Sequence, residues 1–280
     1  MIPQNFEYSA PTNLKEALSL LAGGNAKALA GGMSLIPIMK LRLAAPEHVV
    51  DLGRVPGLSF IREEQDGIHV GAMTTHYEIE SSQVLRSRCP LLAEAASNIG
   101  DVQVRNMGTI GGSIAHADPA ADYPASLMAL ETRVKLARVG GGRSISIEEF
   151  LVDTFTTALE PGEIIAELIV PVEAAGTGVA YQKMVQPASG FAIVGVAVRV
   201  RKSGGKVTFA RVGVTGLAPK AFRAREVERL LENGADIQKA AAVVADGVEA
   251  NSDLHASADY RRQMARIYAA RAITRAAGLT

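Results

Sequence analysis

Two glycine pairs lie beside hydroxyl residues in this chain. One is Ala30-Gly31-Gly32-Met33-Ser34, after the apolar stretch Ala26 to Leu29; the other is Thr109-Ile110-Gly111-Gly112-Ser113. A Gly-Gly step next to Ser or Thr leaves backbone N–H groups uncovered by any Cβ. Held in a concave nest, such groups bind phosphate without a cationic side chain. Two of them suit a ligand with adjacent phosphates gripped from both sides. An ordinary turn has the same composition, and the chain carries 27 glycines in 280 residues. No Gly-x-x-x-x-Gly-Lys-Ser/Thr segment occurs, nor a strand–Gly-x-Gly-x-x-Gly–helix unit with its later acid. A P-loop and a Rossmann site are both unsupported.

Other reactive groupings are thin. His116, Asp118 and Asp122 fall within seven residues, but one nitrogen and two carboxylates beside Pro119 make poor zinc spacing, so no metal site is expected. No Ser-His-Asp set or nucleophile elbow is present, and no catalytic side chain is expected. The single cysteine, Cys89, precludes an internal disulfide or a cysteine-held iron–sulfur cluster. Lys+Arg and Asp+Glu number 29 each, which gives no general attraction to nucleic acid or anionic membrane. No apolar run reaches the length of a membrane span. Nothing near Met1 resembles a secretion signal, and a cytoplasmic setting is expected.

The elements around these residues follow from periodicity. Phe6 to Ala22 predicts an extended entry and an amphipathic helix, capped by Thr12 or Asn13 and stopped at Gly23-Gly24. Lys27 to Ala30 predicts a strand, Leu35 to Leu43 a helix with Pro37 in its first turn, and His48 to Leu52 another strand. Helices are expected at Pro90 to Ile99 and Ala120 to Leu130, a strand at Arg133 to Arg138, and a linker at Val172 to Thr177. Ala192, Val194, Val196, Val198 and Val200 alternate before Ser203-Gly204-Gly205, which predicts a long hairpin with one buried face. In the terminal helix Tyr260, Met264, Ile267 and Arg271 form one stripe, and its arginines are expected on a solvated face or a subunit contact.

The whole set of motifs resembles the FAD-binding medium subunit of molybdenum hydroxylases, the flavoprotein of the carbon-monoxide and xanthine dehydrogenase group. The resemblance rests on Ala30-Gly31-Gly32-Met33-Ser34-Leu35-Ile36-Pro37, Gly71-Ala72-Met73-Thr74-Thr75, Val104-Arg105-Asn106-x-Gly108-Thr109-Ile110-Gly111-Gly112 and Asp118-Pro119-x-x-Asp122. Pro161-Gly162-Glu163-Ile164 and Tyr181-x-Lys183 extend it, and it is nearest to the carbon-monoxide-dehydrogenase type. It implies an α+β fold: a two-lobed FAD-binding domain of the vanillyl-alcohol-oxidase type (1–55 and 56–174), then a C-terminal domain (175–280) with an antiparallel sheet and packed helices.

It further implies non-covalent FAD, held by Leu29, Ala30, Gly31, Gly32, Met33, Ser34 and Leu35 on one side. Thr109, Ile110, Gly111, Gly112 and Ser113 would hold it on the other. Asp122, Ile99, Ile165, Lys183 and Phe191 match further cofactor positions. As single residues, Asp122 also reads as a helix N-terminal charge, Ile99 and Ile165 as core, Lys183 as surface, and Phe191 as the start of a buried strand. Met33, Ser113 and Gln186-Pro187-Ala188 depart from the family's usual residues. The implied partners are a large molybdenum-cofactor subunit and a small [2Fe–2S] subunit in a dimer of heterotrimers, with an external electron acceptor. A stand-alone FAD oxidase and a cofactor-free scaffold are the alternatives.

Overall fold

Asn13 accepts a hydrogen bond from the Glu16 N–H at 2.9 Å, which starts the helix Leu14–Leu21. The computed structural model describes residues 1–278. That helix buries Ala17, Leu18 and Leu21 under a three-stranded parallel sheet, ordered Glu7–Ser9, His48–Asp51, Ala26–Leu29. The βαβ connection after Ala26–Leu29 contains the helix Leu35–Lys40, shorter than its pattern predicts. Arg42 (φ +59°) ends it in a left-handed turn.

A second sheet is antiparallel, ordered Ile61–Glu64, Gly67–Gly71, Ile164–Val170, Arg133–Arg138, Gly141–Ser146. Short helices cover it, each with an identifiable start. Thr75 and Glu78 form a reciprocal capping box for His76–Ser81, and Pro90 opens Pro90–Ser97 directly after the buried Cys89. Every residue of the helix Asp122–Ala129 is buried, because it lies between this unit and the last sheet.

That sheet runs Thr177–Val185, Ala192–Ser203, Lys206–Thr215, Phe222–Arg223, all antiparallel. The long hairpin departs from expectation: Ala192 to Val200 are buried without a break, so both faces are covered. Val194, Val196, Val198 and Val200 pack against the helices that follow. The alternate positions are small where helix Asp122–Ala129 must approach. A Cβ on Gly213 would overlap the Ala125 carbonyl oxygen, and Ala197 joins the larger core.

The terminal helix Ala258–Ala276 also corrects the sequence pattern. Its buried stripe is Arg261, Ala265, Ala269, Ala272, Ile273 and Ala276, whereas Tyr260 is exposed. Alanines let the backbone lie close to the sheet, so that bare Gly178 faces the Ala276 carbonyl. Arg261 is internal, not solvated: Nη1 donates to the carbonyls of Ile193 and Gly216, and Nη2 to Asp253. Among the described residues no helix is long and apolar enough to cross a membrane.

Candidate functional site

Strand Ala26–Leu29 ends at half-buried Leu29, and the chain turns through Ala30, Gly31 and Gly32 into helix Leu35–Lys40. Gly32 has φ +73°, a left-handed conformation that costs most residues about 1–2 kcal/mol. Ser34 is the N-cap, yet its hydroxyl makes no bond back into the helix. Among the described residues no acceptor takes the N–H of Gly31, Gly32, Met33 or Ser34. A left-handed glycine followed by an uncapped helix start thus presents a row of free donors, the arrangement that binds phosphate oxygens.

The second glycine pair differs from the expected nest. Thr109 caps helix Ile110–His116, its Oγ1 accepting from the Gly112 N–H at 3.1 Å. Ile110 N–H donates to Thr74 O, Gly111 N–H to Ala72 O at 2.9 Å, and Ser113 N–H to Thr109 O. These donors are occupied because the segment is a helical first turn laid against residues 72–75. What Gly111 provides is space, since a Cβ there would stand 2.6 Å from that of Ala72. The Ser113 hydroxyl has no partner among the described residues.

The two stretches nevertheless meet. A Cβ on Gly31 would overlap the Met107 carbonyl oxygen, and one on Gly112 would lie 3.6 Å from the Ala30 Cβ. Below them, His76 N–H donates to Gly108 O at 2.9 Å, and its Nδ1 is 3.1 Å from the Tyr123 hydroxyl. Burial, helped by the nearby Arg105 charge, pushes His76 down to about 4, so it is a neutral support for this wall.

Asp122 stands at the first turn of its helix, 4% exposed. Its Oδ1 accepts from the Tyr181 hydroxyl at 2.6 Å and lies 2.9 Å from Lys183 Nζ. Burial raises the Asp122 pKa, and the Lys183 charge and the Tyr181 hydroxyl oppose that rise. Lys183 also donates to the carbonyls of Asn98 and Gly190, at 2.6 and 2.7 Å. Its side chain is therefore buried, not a surface lysine.

The remaining candidates divide by exposure. Ile110 is fully buried and Ile165 nearly so, both within the main core, while Leu35 and Ile99 are half-buried. Met33 and Phe191 are open, at 40% and 44% exposure. His116, Asp118 and Asp122 face different partners: the Phe155 ring, the Ala120 N–H, and the Tyr181–Lys183 pair. Asn98, Met107 and Gly190 entered no sequence motif as contacts. The two-residue spacing of Tyr181 and Lys183, which puts both on one face of a strand, is the signal that could have placed the lysine in the buried cluster.

A family profile described as "FAD binding domain in molybdopterin dehydrogenase" matches residues 4–173, and one for "CO dehydrogenase flavoprotein C-terminal domain" matches 179–276. The chain belongs to the FAD-binding medium subunits of the molybdenum hydroxylases. It is 43% identical to the carbon monoxide dehydrogenase medium chain of Hydrogenophaga pseudoflava, over 99% of this chain and 98% of that one. The fold superposes on reconstituted CO dehydrogenase from Oligotropha carboxidovorans with a TM-score of 0.96, at 38% identity and full coverage of both chains. On quinoline 2-oxidoreductase from Pseudomonas putida 86 the TM-score is 0.93, at 31% identity and 99% coverage of each.

The residues of this flavoprotein subunit fit FAD. Four unoccupied N–H groups beside the free Ser34 hydroxyl match the chemistry of a pyrophosphate, and Gly31 and Gly32 stand where a side chain would intrude or strain. The Met33 N–H belongs to this open row, and the residue is 40% exposed.

Proposed function

We propose that this chain carries FAD as the electron-transfer component of a cytoplasmic molybdenum hydroxylase. The assembly is a dimer of heterotrimers in which a large subunit holds the molybdenum cofactor and a small subunit the [2Fe–2S] clusters. The single observation that carries this reading is the row of free N–H donors from Gly31 to Ser34, set against the Met107–Ser113 segment. Bound FAD would supply the redox chemistry that links the small subunit's cluster to an external acceptor.

The chain's own residues bind and orient. Gly31, Gly32, Met33 and Ser34 donate to the pyrophosphate, with Leu29, Ala30 and Leu35 setting the ends of the loop. Thr109, Ile110, Gly111, Gly112 and Ser113 form the facing wall, and the Ser113 hydroxyl is their available donor. Asp122 keeps Oδ2 without a partner among the described residues and can accept from a sugar or ribityl hydroxyl. Ile99, Phe191 and Ile165 would supply apolar surface for the flavin. The three-part division at 1–55, 56–174 and 175–280 belongs to the same reading, supported by the three-, five- and four-stranded sheets, each of which falls within one part.

A stand-alone oxidase needs a proton acceptor beside its substrate; His76, pushed down to about 4 and set against the Tyr123 hydroxyl, is a weak base, and Asp122 is engaged by Tyr181 and Lys183. A cofactor-free scaffold leaves the donor row without a purpose. Purified alone, the chain should be yellow and release FAD, oxidise artificial donors slowly, and hydroxylate nothing. With its two partners it should restore electron flow from substrate to acceptor. Substrate turnover by the isolated chain at the rate of the complex would overturn the reading.

A further inference from the structure

Lys183 binds two carbonyl oxygens with a common property: each belongs to the residue just before a cofactor-contact candidate. Asn98 precedes Ile99, and Gly190 precedes Phe191. The ammonium donates to Asn98 O and Gly190 O at 2.6 and 2.7 Å and pairs with Asp122 Oδ1 at 2.9 Å, so its partners all belong to the protein. The ammonium sits at the C-terminus of helix Pro90–Ser97 and pairs with the carboxylate in the first turn of helix Asp122–Ala129, both favourable to the helix dipoles. The segments it joins are already adjacent, since a Cβ on Gly190 would lie 3.5 Å from Gly100 Cα. With Lys183 and Asp122 side chains 5% and 4% exposed, little water is available to replace these bonds.

We propose that Lys183, held by Asp122 and Tyr181, is a positioning residue that clamps the 98–100 and 186–191 segments together and so sets Ile99 and Phe191 against the flavin ring. This rests on the FAD reading above and assigns the lysine to the protein, not to the cofactor. Tyr181 keeps the carboxylate aimed, through its hydroxyl at 2.6 Å. The turn carrying Gly190 has few other ties: Ser189 and Gly190 N–H donate within it to Gln186, and Gln186 N–H to Phe191 O. Losing the clamp therefore frees Phe191 more than it disturbs the fold.

A double-mutant cycle on FAD affinity tests it, with apo-protein titrated by FAD and followed by flavin fluorescence. Lys183→Met alone should weaken binding about tenfold and shift the visible absorption of the bound flavin. In the Ile99→Ala/Phe191→Ala background the same change should cost less than about twofold, because its effect runs through those residues. Equal losses in both backgrounds would make Lys183 a direct ligand and overturn the proposal. Amide exchange at 99–100 and 190–191 in the FAD-free proteins gives a reading independent of flavin: Lys183→Met should accelerate it about tenfold or more. Unchanged exchange would also overturn the clamp, whereas a wild type that binds no FAD would sink the cofactor reading alone. If Lys183→Met fails to fold, Lys183→Gln, which is too short to reach both carbonyls and leaves Asp122 in place, is used in each experiment.

Discussion

Gly31 presents its bare Cα to the carbonyl oxygen of Met107, and a Cβ at that point would overlap it. This one approach joins the phosphate-type loop of the first sheet unit to the wall of the second. Gly31→Ala is therefore expected to push the two apart, lower the melting temperature by several degrees and abolish FAD retention, read as the flavin-to-protein ratio after gel filtration. A wild-type ratio would mean that the contact has slack.

Gly32 makes a different demand, for backbone conformation. At φ +73° a β-branched residue carries about 1–2 kcal/mol of strain. Gly32→Val should leave the far-UV spectrum unchanged while reducing FAD affinity more than tenfold, since relaxing that φ re-aims the N–H row. Gly111→Val, by contrast, strikes Ala72 in the core and should destabilise the chain outright. A stably folded Gly111→Val would contradict that packing.

Flavin should come away with acid precipitation. The lone thiol, Cys89, is fully buried, and burial pushes it up to about 12, so it is not a reactive nucleophile. Colour retained in the denatured pellet would show a covalent link that the site geometry does not suggest.

Stability should fall between neutral pH and pH 4 in a way traceable to one histidine. His76 is neutral when folded because burial, then the Arg105 charge, lowers it from 6.5 to about 4. The unfolded chain then binds the extra proton through that window. Stability is full above pH 6.5 and declines as pH falls toward 4, by about 3 kcal/mol in total at ~1.36 kcal/mol per unit. Urea midpoints at pH 7.5 and pH 5 should differ less in His76→Gln than in the wild type; equal slopes would assign the effect elsewhere.

Arg199 and Glu173 form a buried pair between the second and third sheets. Nε and Nη2 donate to the two carboxylate oxygens at 2.6 and 3.0 Å, and Nη1 donates to Ala129 O. Removing one partner strands the other charge, so Glu173→Ala should cost about 3–5 kcal/mol by urea denaturation. Arg199→Met combined with Glu173→Leu should recover much of that loss; no recovery would mean that the Ala129 bond dominates.

Both glycine pairs and several helix starts, among them those at Asn13 and Pro90, were legible from sequence, because they depend on interactions within a few residues. A cap such as Asn13, Thr75 or Thr109 reaches its N–H three positions on, and that spacing is written in the chain. Tertiary structure decided which of the two glycine stretches offers donors. Gly31 to Ser34 keep theirs open, while Ala72, Thr74 and Thr109 occupy those of the second. It also decided the burial of Lys183, Arg199 and Arg261, whose residue types alone suggest water, because acceptors for them come from strands and helices remote in sequence. The uninterrupted burial of Ala192 to Val200 has the same origin: a period of two shows that faces differ, but only packing shows that a helix covers each of them.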